Sequence, residues 1–487
     1  MYGTWHDASP NAFLSRAAQY AESYRSDGRA LSPMASVGEL RDQFCRPLGD
    51  RGQSGDAVIE ALIGAAEPGL VGNTDPNFYA WVMGGSNLVG VAADWLTAAW
   101  GQNAAIYQSS PAAAIAEEAV EAWLLDLLDL PRESSVGFVS GATMAAFVAL
   151  AAARGEVLRR AGHDIEALGL QGAPLVGVFL SDDAHVTNYA ALRQLGFGDV
   201  NFHRIASDGA GLMHPDDLVA ALARFDGPKI IVAQAGHINS GGFERLEEIA
   251  RLARRHGAWM HVDGAFGLWV RATTGRKHLA SGAELADSWS VDGHKWLQIP
   301  YDSGFAIVRN RQAHRRAMEK SAGYLNMAQD DGRNPSAYAP GLSRRAQGFA
   351  AWAVLRNLGR SGVAELVERH CAAADRLADL INGIGGLRIL NKVELNQIVI
   401  GCDDREAEPQ LIQALADRLN SDARFFVRTA HWKERTVLRL SVISRGTDMD
   451  HVTELAAAIA EYWPEILSEA DGGAAASGQW PNLAASA

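Results

Sequence analysis

The sequence has few cysteines, no excess of basic residues and no long hydrophobic run. Cys45, Cys371 and Cys402 lie far apart, form no CxxC pair and cannot all be paired within one chain, which favours a reducing cytoplasm. The 44 basic and 57 acidic residues give a formal charge of −13, which disfavours nucleic acid and anionic membranes as partners. The most apolar stretch, 144–153, is about half as long as a membrane-spanning helix, and the first residues lack the pattern of a secretory signal. We therefore expect a globular cytoplasmic protein.

The sequence does contain the alternating pattern of an α/β protein. At 487 residues, 48% of them hydrophobic and 21% charged, the chain has the composition of a globular protein of roughly two or three domains. From about residue 135 to 310, short β-branched or aromatic runs alternate with amphipathic segments, which predicts a sheet layered with helices. Polar side chains follow the predicted strands at the edge where such sheets bind ligands: Ser140, Asp182, His185, Gln234, Asp263 and Asp292.

The pattern divides the chain into four parts. Residues 1–75 have the pattern of helices and loops, and we expect a helical arm that packs or dimerises. The large α/β domain is expected over 76–355. A long helix followed by short strands predicts a smaller α+β domain over 356–470, and the glycine-rich tail 471–487 is expected to be flexible.

Lys295 lies within SWSVDGHKWLQIPYDSG, residues 288–304. Its neighbours His294 and Trp296 belong to residue types that are often partly buried. Burial favours the neutral amine, which is the form that attacks an aldehyde at neutral pH. A lysine packed at a strand end, with no chemical role, is the competing interpretation.

Asp263 lies upstream in WMHVDGAFG, on the same strand face as His261 and Ala265. A carboxylate that closes an apolar strand must be paired or protonated, and the ring nitrogen of a cofactor is a suitable partner. A cap or turn residue would show the same pattern.

Two further segments point to a ligand. The turn Ser140–Thr143 precedes a helix and offers backbone N–H groups and hydroxyls, which suit a phosphate but also ordinary helix capping. His185, in SDDAHVTNYAALRQLG, follows a strand and precedes a helix. An imidazole there could lie flat on a planar ring or be purely structural.

Together the four segments resemble the group II pyridoxal-phosphate decarboxylases, the family of aromatic-L-amino-acid and glutamate decarboxylases, from about residue 75 to 452. The resemblance implies the fold-type I architecture, with a mostly parallel sheet flanked by helices and a smaller C-terminal α+β domain. It also implies pyridoxal 5′-phosphate (PLP) as cofactor, decarboxylation of an L-amino acid to the amine and carbon dioxide, and a homodimer with the active site at the subunit interface.

The resemblance also assigns residues. Lys295 matches the lysine that carries the cofactor, Asp263 the partner of the pyridine nitrogen, and His185 the histidine that stacks on the ring and orders the substrate carboxylate. Tyr324, in SAGYLNMAQ, matches the mobile-loop tyrosine that protonates the substrate carbon after carbon dioxide leaves. Further cofactor contacts are implied for Ala142, Thr143, Ala265, His294 and Ser343, the last with Arg344 from the partner subunit.

The segment PNFYAWVMGG resembles the part of the family that lines the substrate pocket. The resemblance places Trp81, Val82 and Met83 near the side chain of the substrate. Tyr107 and Ser109 resemble contributions from the partner subunit. These residues suggest an apolar or aromatic substrate side chain. Arg439, in TVLRLSVISRGT, is expected to be structural.

Two positions depart from the better-known members of the family. His237 stands where a threonine is common, and Asp292 stands where an asparagine usually precedes the His-Lys pair. Both are expected beside the cofactor, and His237 is expected to contact substrate as well, by narrowing the pocket or adding a proton donor.

Four alternatives remain. An aldehyde synthase on the same scaffold typically carries phenylalanine at the position of Tyr324, and an aminotransferase is disfavoured by a histidine as stacking residue. A metal site is disfavoured because no zinc signature fits its possible ligands, His256, His261, Asp263 and His294. A catalytically silent scaffold would not need Lys295 and Tyr324.

Overall fold

The computed structural model describes residues 11–26, 30–320 and 332–476. Within them, a seven-stranded sheet forms the centre of the large domain. Its strands are β1 Ser135–Val139, β2 Gly177–Ser181, β3 Phe202–Ile205, β4 Lys229–Gln234, β5 Trp259–Asp263, β6 Ser288–Asp292 and β7 Gly304–Val308. The spatial order is β1-β7-β6-β5-β4-β2-β3, and β7 alone runs against the other described strands of this sheet. The α/β architecture expected from the sequence is confirmed.

The strands are short apolar runs because helices cover both faces of the sheet. Along β2 and β4, Phe179 and Ile231 pack on one side while Val178 and Val232 pack on the other. The large-domain helices are α4 Leu88–Trp100, α5 Pro111–Leu127, α6 Ala142–Arg160, α7 Ile165–Leu168, α8 Val186–Gln194, α9 Pro215–Arg224, α10 Leu246–Arg255 and α11 Arg311–Met318. The alanines of α6 let this helix lie close against the sheet.

A second, antiparallel sheet of four described strands forms the small domain, in the order β10-β11-β9-β8. Its strands are β8 Leu387–Ile389, β9 Gln397–Cys402, β10 Arg428–Trp432 and β11 Arg435–Ser441, and α13 Glu408–Ser421 and α14 Met449–Ala476 pack with it. The long helix α12 Gln347–Asn382 joins the domains and is kinked at Gly359. Gly359 has a φ of 63°, a backbone conformation that favours a residue without a Cβ. The boundary predicted between residues 355 and 356 falls inside α12.

The N-terminal region contains α1 Asn11–Ser26, α2 Val37–Phe44 and α3 Gly55–Ala66. The strand-like stretch that follows joins the small domain, because the backbone N–H of Tyr79 donates to Phe426 O at 2.9 Å and that of Ser441 donates to Tyr79 O at 2.9 Å. Across the three described ranges, no helix has both the length and the apolar character needed to cross a bilayer.

Candidate active site

One cavity of about 390 Å³ opens at the carboxyl ends of β1, β2, β4, β5 and β6. In an α/β sheet this edge collects the side chains that follow each strand. The lining residues are Ser140, Gly141, Ala142, Thr143, Met144, His185, Thr187, Gln234, Gly236, Ile238, Asp263, Ala265, Phe266, Asp292, His294, Lys295 and Tyr301. Sequence positions more than 150 residues apart thus face one space.

Lys295 is held at the cavity by its neighbours on both sides. Its Nζ lies 3.0 Å from Asp292 Oδ2 and 5.7 Å from the centre of the Phe266 ring. The next residue, Trp296, is fully buried and donates from Nε1 to His370 Nδ1 at 3.1 Å, which fixes the backbone beneath the lysine. The sequence had not assigned Asp292 as the partner of this amine.

Asp263 ends β5, and both of its carboxylate oxygens accept hydrogen bonds. Asn188 Nδ2 donates to Oδ2 at 2.7 Å, while the Ala265 N–H donates to Oδ1 at 3.2 Å and Ser290 Oγ at 3.5 Å. Beneath it, burial lowers the pKa of His261 to about 4, so this histidine is neutral at physiological pH. Asp263 therefore presents its carboxylate to the cavity from a supported position.

His185 caps the start of α8 and also lines the cavity. Its Nδ1 lies 2.6 Å from Thr187 Oγ1 and accepts from the Thr187 N–H at 3.4 Å. Burial, with smaller contributions from Lys295 and Arg439, lowers the pKa of His185, against the opposing effect of Asp263. The ring is therefore neutral at pH 7, and the capping contact sets its orientation.

The start of α6, which the sequence assigns to a phosphate, lies at the cavity beside Asp292 and His294. The Ala142 N–H donates to Asp292 Oδ1 at 2.5 Å, and His294 Nε2 lies 3.4 Å from the same oxygen. A Cβ at Gly141 would come within 2.9 Å of His294 Cε1, so a larger residue there would displace the histidine ring. Burial lowers the pKa of His294, and its ring stacks on Tyr301 at 4.3 Å. Asp292 is thus shared between the helix start and Lys295.

His237 is not at the cavity, contrary to the expectation that it contacts cofactor and substrate. The residue is fully buried, with Nε2 3.2 Å from Asp183 O and 3.4 Å from Asp183 Oδ2. Its Nδ1 accepts the backbone N–H groups of Asn239 and Ser240, each at 3.3 Å. The flanking residues Gly236 and Ile238 line the cavity, whereas the imidazole of His237 is directed toward Trp432 of the small domain.

Other predicted residues also lie away from the cavity of one chain. Trp81 is 40% exposed and contacts Phe426, whereas Val82 is buried in the core. Met83 packs near the small domain. Tyr107 and Ser109 lie in a short turn before α5, and Ser343 and Arg344 lie in the loop before α12. Arg344 pairs with buried Glu117 at 2.9 Å. Tyr324 lies outside the described residues.

The structure adds three residues that the sequence had not singled out. Asn188 lies one helical turn after His185, a spacing that could have placed it on the same side of α8. Tyr301 lines the cavity, and burial raises its pKa to about 12. Thr187 holds the ring of His185. Nothing in the local sequence around Tyr301 distinguishes it from an ordinary loop residue.

Arg439, on β11, is partly buried and contacts the large domain. Its Nη1 donates to Asn239 Oδ1 at 3.1 Å, and burial lowers its pKa. No carboxylate pairs with it in the part of the chain that the structure describes. Its positive charge contributes to the lowered pKa of His185.

The cavity fits PLP by its donor set. It offers an amine from Lys295, a carboxylate from Asp263 on another strand, a neutral flat ring from His185 and a helix start at Ala142. Such a set suits a phosphorylated heteroaromatic aldehyde. Within the described ranges no three His, Cys, Asp or Glu side chains come together as metal ligands. The fold and the site therefore define a PLP-dependent enzyme.

Comparison with known proteins gives the family. The model of the pyridoxal-dependent decarboxylase conserved domain matches residues 39–401. Tryptophan decarboxylase 1 of Oryza sativa is 26% identical over 472 residues, and the match covers 91% of each chain. The aromatic-L-amino-acid decarboxylase of Bos taurus is 27% identical over 444 residues, and the match covers 88% of this chain and 90% of that protein. The crystal structure of Oryza sativa TDC with PLP and tryptamine superposes with a TM-score of 0.88 at 24% identity, over 96% of this chain and 100% of that one, which supports the fold.

This chain belongs to the pyridoxal-dependent decarboxylase family. The protein is accordingly a PLP-dependent carboxy-lyase that acts on amino acids, as its sequence predicted.

Proposed function

We propose that this enzyme decarboxylates an L-amino acid with an aromatic or apolar side chain, as a homodimer in the cytoplasm. The observation that carries the proposal is that Lys295, in the segment after β6, and Asp263, at the end of the neighbouring strand β5, line the same cavity as the start of α6. Two relatives that match over most of their length act, by their names, on tryptophan and on aromatic L-amino acids. The three cysteines are unpaired, which suits a reducing compartment.

The proposal gives tasks to the residues of the cavity that meet the cofactor. PLP, when bound, supplies a protonated heteroaromatic ring that accepts the electron pair left on the substrate carbon. Lys295 provides the amine that holds the cofactor, and Asp263 keeps a proton on the ring nitrogen. The start of α6 at Ala142 and Thr143, together with His294, binds the phosphate, and the Ala142 N–H exchanges Asp292 Oδ1 for a phosphate oxygen. Ala265 leaves room beneath the ring.

The substrate carboxylate is oriented by His185 and attracted by Arg439. His185 is neutral and fixed by Thr187, so it presents a flat surface without adding charge. Arg439 brings a positive charge from the small domain that has no acidic partner among the described residues. On the resemblance alone, we assign delivery of the final proton to Tyr324, a general-acid step worth on the order of 10²- to 10⁴-fold.

The homodimer is supported by an apolar surface on α4. Four large side chains on this helix are between 47% and 57% exposed: Leu88, Trp95, Leu96 and Trp100. Their spacing puts them on one broad face, and an apolar face of this kind indicates a protein interface. Tyr107, Ser109 and Ser343 do not line the cavity of their own chain, which suits a contribution to the site of a partner.

Carbon dioxide release tests this function. The purified enzyme with PLP is supplied in turn with tryptophan, tyrosine, phenylalanine, leucine, glutamate and lysine, and carbon dioxide and amine are both quantified. We expect equal amounts of the two products, largest with aromatic or apolar substrates. A preference for glutamate contradicts the substrate class, and ammonia with hydrogen peroxide in place of amine indicates an aldehyde synthase.

The same assay requires a control for the cofactor lysine. Lys295→Ala should remove the visible absorbance of lysine-bound PLP and all detectable carbon dioxide release. Lys277→Ala changes a half-exposed lysine whose Nζ lies 2.7 Å from Asp129 Oδ2. Neither of these two residues lines the cavity. Lys277→Ala should retain both signals, so a visible band that survives Lys295→Ala contradicts the assignment.

A further inference from the structure

The carboxylate of Asp263 depends on one short hydrogen bond from the helix that carries His185. Asn188 Nδ2 donates to Asp263 Oδ2 at 2.7 Å, and this is the shortest contact that the carboxylate makes. The donors on Oδ1 are longer, at 3.2 Å from Ala265 N and 3.5 Å from Ser290 Oγ. N–H···O hydrogen bonds in proteins usually span about 2.7 to 3.2 Å, so the Asn188 contact lies at the short end of this range and the Ala265 contact at the long end. The orientation of the carboxylate therefore depends mainly on Asn188.

Asn188 is itself held in a fixed position. It lies in the first turn of α8, where its N–H donates to His185 O at 3.0 Å, and the residue is only 1% exposed. Its Oδ1 is buried and accepts no hydrogen bond from any described residue. The reverse orientation of the amide would place Oδ1 against the carboxylate and repel it, so only one orientation of the side chain is favourable.

We propose that Asn188 is a positioning residue for the cofactor, which fixes the Asp263 carboxylate where it meets the ring nitrogen of PLP. This inference rests on the proposed role of Asp263. It also couples two parts of the site, because the first turn of α8 carries both His185 and the donor to Asp263. Leaving a buried carboxylate without its strongest donor should let it turn away from the cavity or lose its charge.

The test compares PLP with its 1-deaza analogue, in which a carbon replaces the ring nitrogen and the contact to Asp263 is lost. Affinities of both compounds are measured by titrating the cofactor-free full-length chain. The wild-type enzyme should prefer PLP. In Asn188→Leu, which has a similar volume but no donor, this preference should fall by about tenfold while the affinity for the deaza analogue changes little.

Two further variants complete the test. Asn188→Ser is smaller and leaves the core unstrained, so it should show the same loss of preference if the leucine variant does not fold. Asn201→Leu removes another buried amide, which donates to Val176 O at 2.9 Å away from the cavity, and should keep the full preference.

The outcomes separate the inference from the proposed function. A wild-type enzyme that binds both compounds equally refutes the role of Asp263 itself. An unchanged preference in both Asn188 variants, with a wild-type preference for PLP, refutes Asn188 as a positioning residue. A larger preference would also overturn it, because Asn188 would then act by drawing charge from Asp263 and not by holding it in place.

Discussion

Trp432 Nε1 donates a hydrogen bond of 2.8 Å to Asp183 Oδ2, and this contact joins the small domain to the loop that leads to His185. The same carboxylate lies 3.4 Å from His237 Nε2 and 3.6 Å from Lys433 Nζ. The turn between β10 and β11 is thus attached to the large domain through Asp183. We expect the position of His185 to depend on this attachment, although none of these three partners lines the cavity.

Replacing Trp432 with phenylalanine should weaken the attachment while preserving an aromatic ring. Loss of a hydrogen bond to the partly buried carboxylate of Asp183 should lower the free energy of unfolding by roughly 1.5–3 kcal/mol. Lys433→Gln is the matched control, because its exposed ion pair at 3.6 Å should contribute less than about 0.5 kcal/mol. Urea midpoints measure both, and equal shifts would show that Asp183 does not depend on the indole.

Replacing His237 with alanine should reduce stability more than it reduces cofactor affinity. The imidazole is buried and holds two backbone N–H groups, so its removal should cost on the order of 2 kcal/mol of unfolding free energy. PLP affinity should change by less than about threefold, since the side chain faces Asp183 and not the cavity. A stable variant that loses PLP would restore the role expected from the sequence.

Replacing Asp292 with asparagine should strengthen PLP binding. The carboxylate contacts the start of α6 and His294, the groups assigned to the phosphate, and it also pairs with the ammonium of Lys295. Removing this charge lessens repulsion of the PLP phosphate and removes the ion pair that Lys295 must break before it reacts. The affinity for PLP should therefore rise by about tenfold. PLP titration monitored by visible absorbance checks this. Weaker binding would mean that the negative charge itself is required.

Glu244 should make stability depend on pH. Burial raises the pKa of Glu244 to about 8 in the folded chain, from 4.5 when exposed. Because the folded state then holds the proton more tightly, its contribution is fully present below pH 4.5 and is lost as pH rises through about 8. Glu244→Gln cannot ionise, so the wild type should lose on the order of 3 kcal/mol relative to it between pH 5 and pH 9.

Urea midpoints at both pH values measure this difference between the two proteins. A constant difference across the range would mean that Glu244 ionises normally. Met213 N donates to Glu244 Oε1 at 3.4 Å, and glutamine keeps an oxygen for that contact. The comparison therefore isolates the charge from the loss of the side chain.

Much of the site could be predicted because its main residues follow strands. Asp263 ends a strand, Lys295 lies three residues after one, and His185 and Ala142 lie at helix starts that follow strands. Parallel strands bring such positions to one edge of the sheet. The family, the PLP cofactor and the class of carboxy-lyase are confirmed. The individual site roles and the domain limits stay predictions.

His237 shows why a sequence match can misplace a side chain. The sequence places it one residue from two lining positions, Gly236 and Ile238, and so close to the cavity. The direction of its ring depends on the backbone of the turn and on Asp183, which is 54 residues away in the chain. No local pattern encodes that choice.

The sequence by itself determined the α/β fold, the family and the strand-end positions of the reactive groups, because hydrophobic periodicity and short motifs are local properties of a chain. Only the tertiary structure decided which groups touch: Asn188 with Asp263, Asp292 with Lys295, and Trp432 with Asp183. The first pair joins a helix to a strand and the last joins two domains, while Asp292 and Lys295 meet through the conformation of one turn after β6. Hydrogen bonds require distances near 3 Å that only the packed structure can set.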